Sequence, residues 1–320
     1  MEEKIHVAVC LDKGYVMPTG VMMYSACVNN QDVDIDFHVL VDESVTETDQ
    51  KDLKDSVCNF QGKSVLFYPV KSMKTFSFPL ITKRLTQAAY YRLFLSEILP
   101  LSLNKVLYLD GDTIVRHSLL PLWDTALTNY AVGVIMDVSD GDIRIYNRLK
   151  YPYKKGYFNS GVLLINLGYW RENKVVENFV DYIKNYPERI IQEDQDVLNA
   201  VLQDMKFILP VKYNLQTGFL KMVSMFDYWE YEKEVKEAIT DPTIVHFTEK
   251  DKPWIVNAHD AHPFSSTWFK YQNMTKWKGI RYEHRTKRQC IRNYVGDILR
   301  KVGVLPSLKK SYYIEIPPID

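Results

Sequence analysis

The chain has 320 residues, 46% apolar and 25% charged, with 40 basic side chains balancing 40 acidic ones. Those are the proportions of a soluble globular protein, with core enough for one large or two modest domains. Zero formal charge argues against bulk nucleic-acid binding, and no uninterrupted apolar run reaches the roughly 18 residues of a membrane span. Cys10, Cys27, Cys58 and Cys290 are scattered without a CxxC pair, and the opening Met1-Glu-Glu-Lys is no signal peptide. A reduced, cytoplasmic setting is expected.

Along the chain, residues 5–11 read as a strand ending in the turn Asp12-Lys13-Gly14. Val21, Tyr24 and Val28 then mark a helix after Pro18-Thr19-Gly20. A strand over 35–41 is followed by a helix over 46–60, opened by Thr46 with acids in its first turn. Next come a strand over 65–68, a helix over 86–99 and a strand over 106–109. Strands over 131–136 and 161–165 and helices over 174–186 and 194–203 follow, the last with Asp194 as N-cap. Strands alternating with helices predict an α/β fold around a mostly parallel sheet covered on both faces. Ligands of such sheets sit at the carboxyl ends of strands, where Asp12 and Asp110 fall.

From about Trp277 the character changes. Residues 276–310 are strongly basic, with Glu283 and Asp297 their only acids. Within them Ile291, Tyr294, Val295, Ile298 and Val302 recur at helical spacing before Gly303 and Pro306. A basic amphipathic helix over 285–305 suits the anionic inner face of a membrane, and packing on its own domain is the alternative. The chain divides on this reading into a main domain, 1–275, and a basic helical extension, 276–320.

The most informative stretch is Lys105-Val-Leu-Tyr-Leu-Asp110-Gly-Asp112, an apolar strand running straight into an acid pair. In extended backbone, residues i and i+2 point the same way, so both carboxylates can converge on one hard cation. Gly111 between them lets a ligand approach closely. Asp-x-Asp occurs five times, yet only Asp110 follows an apolar strand without a gap. Asp32, Asp34 and Asp36 sit in a polar turn, and Asp140-Gly-Asp142 reads as a mobile loop.

His246 closes a short strand ahead of Lys250, Asp251 and Lys252. Its imidazole can add a nitrogen to the two carboxylates, a mixed set that favours Mn²⁺ over Mg²⁺. The lysines behind it can neutralise a leaving diphosphate. Asn159 and Ser160 can bond sugar hydroxyls or only shape a turn, and Tyr146, Tyr151, Tyr153 and Tyr157 can stack on sugars or on one another. Gln192-Glu193-Asp194-Gln195-Asp196 carries more polar groups than helix capping needs. Other motifs fall away. Gly62-Lys63-Ser64 has Val57 where a P-loop needs its first glycine, no Gly-x-Gly, HExxH or GxSxG occurs, and His259-Asp-Ala-His262 has no third ligand nearby.

Six segments, in order, resemble the family 8 retaining glycosyltransferases of the bacterial lipopolysaccharide and capsule type, over roughly residues 5–255. They are Ala89-Tyr-Tyr-Arg92-Leu93, Lys105 to Asp112, Pro121-Leu-Trp123, Phe158-Asn159-Ser160-Gly161 through Asn166, Asp194-Gln195-Asp196-Val-Leu-Asn199, and His246 with Lys252-Pro-Trp254. The resemblance implies a GT-A fold, a Rossmann-like mixed sheet flanked by helices. It implies Mn²⁺, with Mg²⁺ as the alternative, held by Asp110, Asp112 and His246, and a UDP-hexose donor, galactose or glucose. It puts Asp12 at the uracil or ribose, and Arg92, Asp137, Asn159 and Asp194 at the donor hexose. Lys252 then falls on the diphosphate and Gln195 near the anomeric carbon, with a glycan or glycolipid as acceptor.

Two positions depart from the family pattern. Gly14 stands where asparagine is common near the ribose, and Glu249 where a small residue approaches the diphosphate. Retaining glycosidases use a carboxylate nucleophile, whereas the amide of Gln195 is a poor one, so front-side attack by the acceptor hydroxyl is expected. A metal-dependent sugar nucleotidyltransferase and a non-catalytic sugar-binding adaptor are the competing readings. Asp12-Lys13-Gly14 is a thin phosphate loop for the first, and the intact acid pair speaks against the second.

Overall fold

The computed structural model describes residues 4–70, 88–221, 232–256, 262–283 and 287–305. In chain order its strands are β1 (Ile5–Leu11), β2 (Ile35–Val41), β3 (Lys63–Pro69), β4 (Lys105–Leu109), β5 (Thr113–Val115) and β6 (Val132–Met136). They continue as β7 (Phe158–Asn166), β8 (Lys206–Ile208), β9 (Leu215–Gln216), β10 (Ile244–His246), β11 (Ile255–Val256) and β12 (Tyr282–Glu283). A seven-stranded sheet in the order β3-β2-β1-β4-β7-β6-β8 forms the centre. β7 runs antiparallel to both β4 and β6, while every other pair is parallel, so the sheet is mixed by one reversed strand.

Both faces are covered, which is why β6 and most of β7 are buried at every residue rather than alternating. Val7, Val9 and Leu11 of β1 face a core shared with the helix Val16–Val28. Ala8, Tyr108 and Leu163 face a second core with Trp170, Phe179 and Leu198. Beyond the sheet, Trp277 lies against Gly20, where a β-carbon would collide with the indole, and β12 pairs with β11. Among the described residues, no helix is long and apolar enough to cross a membrane.

Several expectations change. The first helix begins at Val16, with Pro18 in its first turn, where a missing N–H costs nothing. The helix expected over 86–99 is broken into Ala88–Tyr91, a 3₁₀ turn Arg92–Phe94 and Leu95–Ile98, residues 86 and 87 lying outside the described ones. Arg92 Nε donates to the Ala89 carbonyl at 3.1 Å, so a side chain claims a backbone acceptor there. Asp194 is not an N-cap. Gln192 holds that position, the helix runs Glu193–Leu202, and the Asp194 carboxylate is drawn to Arg92 instead.

The Asp140–Asp142 stretch, expected as a mobile loop, is built into the fold. Asp142 caps the helix Ile143–Leu149, and Asp140 accepts from Tyr146 Oη and from Tyr157 N. Tyr146, Tyr151 and Tyr157 form a small buried cluster, so these rings pack on one another rather than present faces to a sugar. His259, Arg285 and residues 222–231 and 306–320 lie outside the described residues.

Candidate active site

The turn from β4 into β5 fixes the acid pair. Asp110 N donates to Gly161 O at 2.8 Å, and Thr113 donates back to Asp110 O through N at 3.2 Å and Oγ1 at 2.8 Å. At Gly111 a β-carbon would strike Thr19 Oγ1, so glycine is required by close approach. β5 pairs antiparallel with β10, setting His246 opposite Thr113, and Phe247 N donates to Asp112 O at 3.0 Å. Strand pairing therefore carries the imidazole to the carboxylates from far along the chain. His246 Nε2 lies 3.2 Å from Asp112 Oδ1 and 3.7 Å from Asp110 Oδ2.

One ligand atom from each of Asp110, Asp112 and His246 lies within 4.8 Å of the other two. Two hard oxygens and one imidazole nitrogen fit a divalent cation of the Mg²⁺ or Mn²⁺ type. Lys252 Nζ sits 2.6 Å from Asp112 Oδ2. Burial alone would raise the Asp112 carboxyl, but the Lys252 ammonium and His246 outweigh it and hold the group well below the usual carboxylate range.

Behind the acids, Arg92 is a buried hub. Its Nη2 lies 3.0 Å from Asp110 Oδ1, its Nε 3.2 Å from Asp194 Oδ2, and its Nη1 donates to Ser160 O at 2.8 Å. Burial pushes the Asp194 carboxyl up to about 6, with Arg92 opposing the rise. Gln195 is held at both ends of its amide. Oε1 accepts from Ser160 N at 3.1 Å and Asn159 Nδ2 at 3.3 Å, while Nε2 donates to Asp137 Oδ2 at 3.2 Å. Glu193, at the start of this helix, has φ 38°, a strained value for a residue with a side chain.

Of the residues that the resemblance assigns to the cation, the donor or catalysis, all but Asp12 line one cavity of about 720 Å³. Asp12 instead caps the turn Lys13–Tyr15, accepting from Gly14 N at 2.8 Å. Sequence reasoning missed Tyr15, and Ser139, Arg144 and Arg148 fall in the segment 139–156, expected to build the acceptor pocket but not narrowed there to single side chains; all four line the cavity. Arg148 reaches across to the helix Glu193–Leu202, donating to the fully buried Asp196 at 2.6 Å. Asp142 as an N-cap was the available signal for the helix that carries Arg144 and Arg148.

The mixed sheet, with a polar cavity at the carboxyl end of β4 lined by Asp110, Asp112 and His246, has the architecture of the GT-A glycosyltransferases. Residues 6–258 match the model of glycosyl transferase family 8, and the chain belongs to that family. It is 28% identical to General stress protein A of Bacillus subtilis, over 87% of this chain and 96% of that protein. It is also 28% identical to a lipopolysaccharide 1,2-glucosyltransferase of Escherichia coli K12, over 79% of this chain and 73% of the relative. Among solved structures, galactosyltransferase LgtC bound to donor and acceptor sugar analogues superposes with a TM-score of 0.75 at 25% identity, covering 85% of this chain and 96% of LgtC.

Proposed function

We propose that the protein moves a hexose, galactose or glucose, from a UDP-sugar to a glycan or glycolipid acceptor of the cell surface, with retention at the anomeric carbon. Convergence of Asp110, Asp112 and His246 beside Lys252, Arg92 and Gln195 in one cavity carries this reading. The relatives named for lipopolysaccharide glycosyl transfer support the acceptor class. Asp110, Asp112 and His246 would hold Mn²⁺, or Mg²⁺ in its place, which when bound offsets negative charge on the diphosphate.

The chain's own groups do the rest. Lys252 faces the departing diphosphate, and Arg92, Asp137, Asn159 and Asp194 bind hexose hydroxyls, with Asp12 toward the nucleoside. Gln195, fixed at both ends of its amide, sits against the anomeric carbon without attacking it. The acceptor hydroxyl approaches on the leaving-group face. The bond from anomeric carbon to UDP oxygen breaks as the acceptor oxygen bonds that carbon, and the acceptor proton passes to the phosphate. Release of UDP from a panel of UDP-hexoses with Mn²⁺, wild type against Asp112→Asn, tests this. Near-total loss in the variant is expected. Equal turnover, release of pyrophosphate, or a glycosyl adduct trapped on Asp194 would each overturn the reading.

A second proposal concerns location. The helix Lys287–Lys301 leaves Ile291 63%, Tyr294 69% and Val295 47% exposed, so its apolar stripe is not spent on its own domain. Arg292, Arg300 and Lys301 accompany it. Within the extension 276–320, Trp277 and β12 stay packed on the domain 1–275, and the part from Lys287 onward rests on an anionic membrane, keeping the domain peripheral on the cytoplasmic face.

A further inference from the structure

Asn214 is fully buried, and both ends of its amide are used inside the cavity wall. Its Oδ1 lies 2.9 Å from His246 Nδ1, and its Nδ2 donates to Asn159 Oδ1 at 2.9 Å. The orientation of this pair is forced. Asn159 Nδ2 donates to Asp137 Oδ2 at 3.0 Å, and Asn159 Oδ1 accepts from Gly161 N at 3.0 Å. Gly161 N–H can only donate, so the Asn159 atom that faces it and Asn214 Nδ2 must be the oxygen. Asn214 Oδ1 is then left facing the imidazole, where it can only accept. Nδ1 of His246 must therefore carry a proton, so that the neutral ring has its Nε2 lone pair directed at Asp110 and Asp112.

We propose that Asn214 is a positioning residue that locks His246 in the cation-binding tautomer and couples the cation site to the donor-hexose wall through Asn159. The proposal rests on the reading of Asp110, Asp112 and His246 as the cation site. Its two halves separate chemically. An aspartate at 214 keeps an acceptor for His246 Nδ1 but sets a carboxylate oxygen against Asn159 Oδ1. A leucine removes both bonds.

Full-length wild type, Asn214→Asp, Asn214→Leu and Asp112→Asn are titrated with Mn²⁺ by calorimetry in the absence of nucleotide, and UDP-hexose turnover is measured in parallel. Asn214→Leu is expected to weaken Mn²⁺ binding about tenfold to a hundredfold. Asn214→Asp is expected to stay within about threefold of wild type for Mn²⁺ yet lose at least about tenfold in kcat/KM for the donor. A merely structural role would lower both quantities together in both variants, and that result overturns the proposal. Loss of Mn²⁺ binding in Asp112→Asn with wild-type binding in Asn214→Leu overturns it too, whereas wild-type binding in Asp112→Asn sinks the cation site itself. Should the leucine variant fail to fold, ¹⁵N resonances of His246 in the metal-free wild type decide. A proton on Nδ1 supports the assignment, and an Nδ1 without a proton refutes it.

Discussion

His246 and Gly161 approach so closely that a β-carbon on Gly161 would collide with the imidazole Cε1 and stand 2.7 Å from Asp110 Oδ2. The bare backbone of β7 at this point is what lets the imidazole and the first carboxylate share one small volume. Gly161→Ala should displace the ring, costing about 1–3 kcal/mol of stability by overpacking. Mn²⁺ affinity should fall at least about tenfold along with it. Calorimetric metal titration and thermal unfolding check both effects, and wild-type affinity in the variant would contradict the geometry.

Lys252 holds Asp112 at 2.6 Å, where it would compete with the proposed cation for the same carboxylate. Lys252→Met removes that competitor and the charge proposed to face the diphosphate. Mn²⁺ binding should hold or tighten, while kcat for sugar transfer falls by about 10²–10³. Weaker metal binding in the variant would show that the ammonium supports the cation site rather than contesting it.

At the opposite end of the strands, His6 Nδ1 lies 3.1 Å from His38 Nε2, and His38 Nδ1 lies 2.9 Å from Tyr68 Oη. Burial, with His6 adding to it, pushes His38 down to about 4 from 6.5. The folded protein thus declines a proton that the unfolded chain accepts. Its contribution to stability is full above pH 6.5 and is lost as pH falls through about 4. Urea unfolding of wild type and His38→Gln between pH 7 and pH 4 should show wild type losing on the order of 3 kcal/mol more than the variant. Parallel pH profiles would exclude this role.

Binding of the helix Lys287–Lys301 to vesicles should depend on charge as well as on the apolar stripe. Replacing Arg292, Arg300 and Lys301 together by glutamine should weaken partitioning onto phosphatidylserine vesicles by about 1 kcal/mol per residue. Binding to neutral vesicles should be weak throughout, and added salt should erase the difference. Sedimentation of vesicles with the full chain measures it, and equal binding by both proteins would remove the membrane from the account.

How far the sequence foretold this depends on whether a signal is local. β1 and β2 have the bounds read from their apolar runs, because turn residues flank both. The acid pair was legible for the same reason, since Asp110 follows directly on a buried strand. His246 was readable only as the end of a short strand, and its approach to Asp112 depends on the register of β5 with β10. Asn214 had no local mark at all. An amide among apolar residues acquires meaning only from partners on other strands. The break at Arg92 was hidden likewise, because the ion pairs that pull the guanidinium inward come from Asp110, just past β4, and from the helix Glu193–Leu202. Helical periodicity cannot register a distant charge.

The indole of Trp277 wedged over Gly20, followed by the short β11–β12 pairing, gives the basic tail a fixed root. Shortening the protein to 275 residues would extract that wedge and uncover the first helix. If the helix Lys287–Lys301 binds lipid as proposed, it starts only a few residues along the chain from this packed segment. The reach from the cavity to the bilayer would then be counted from β12.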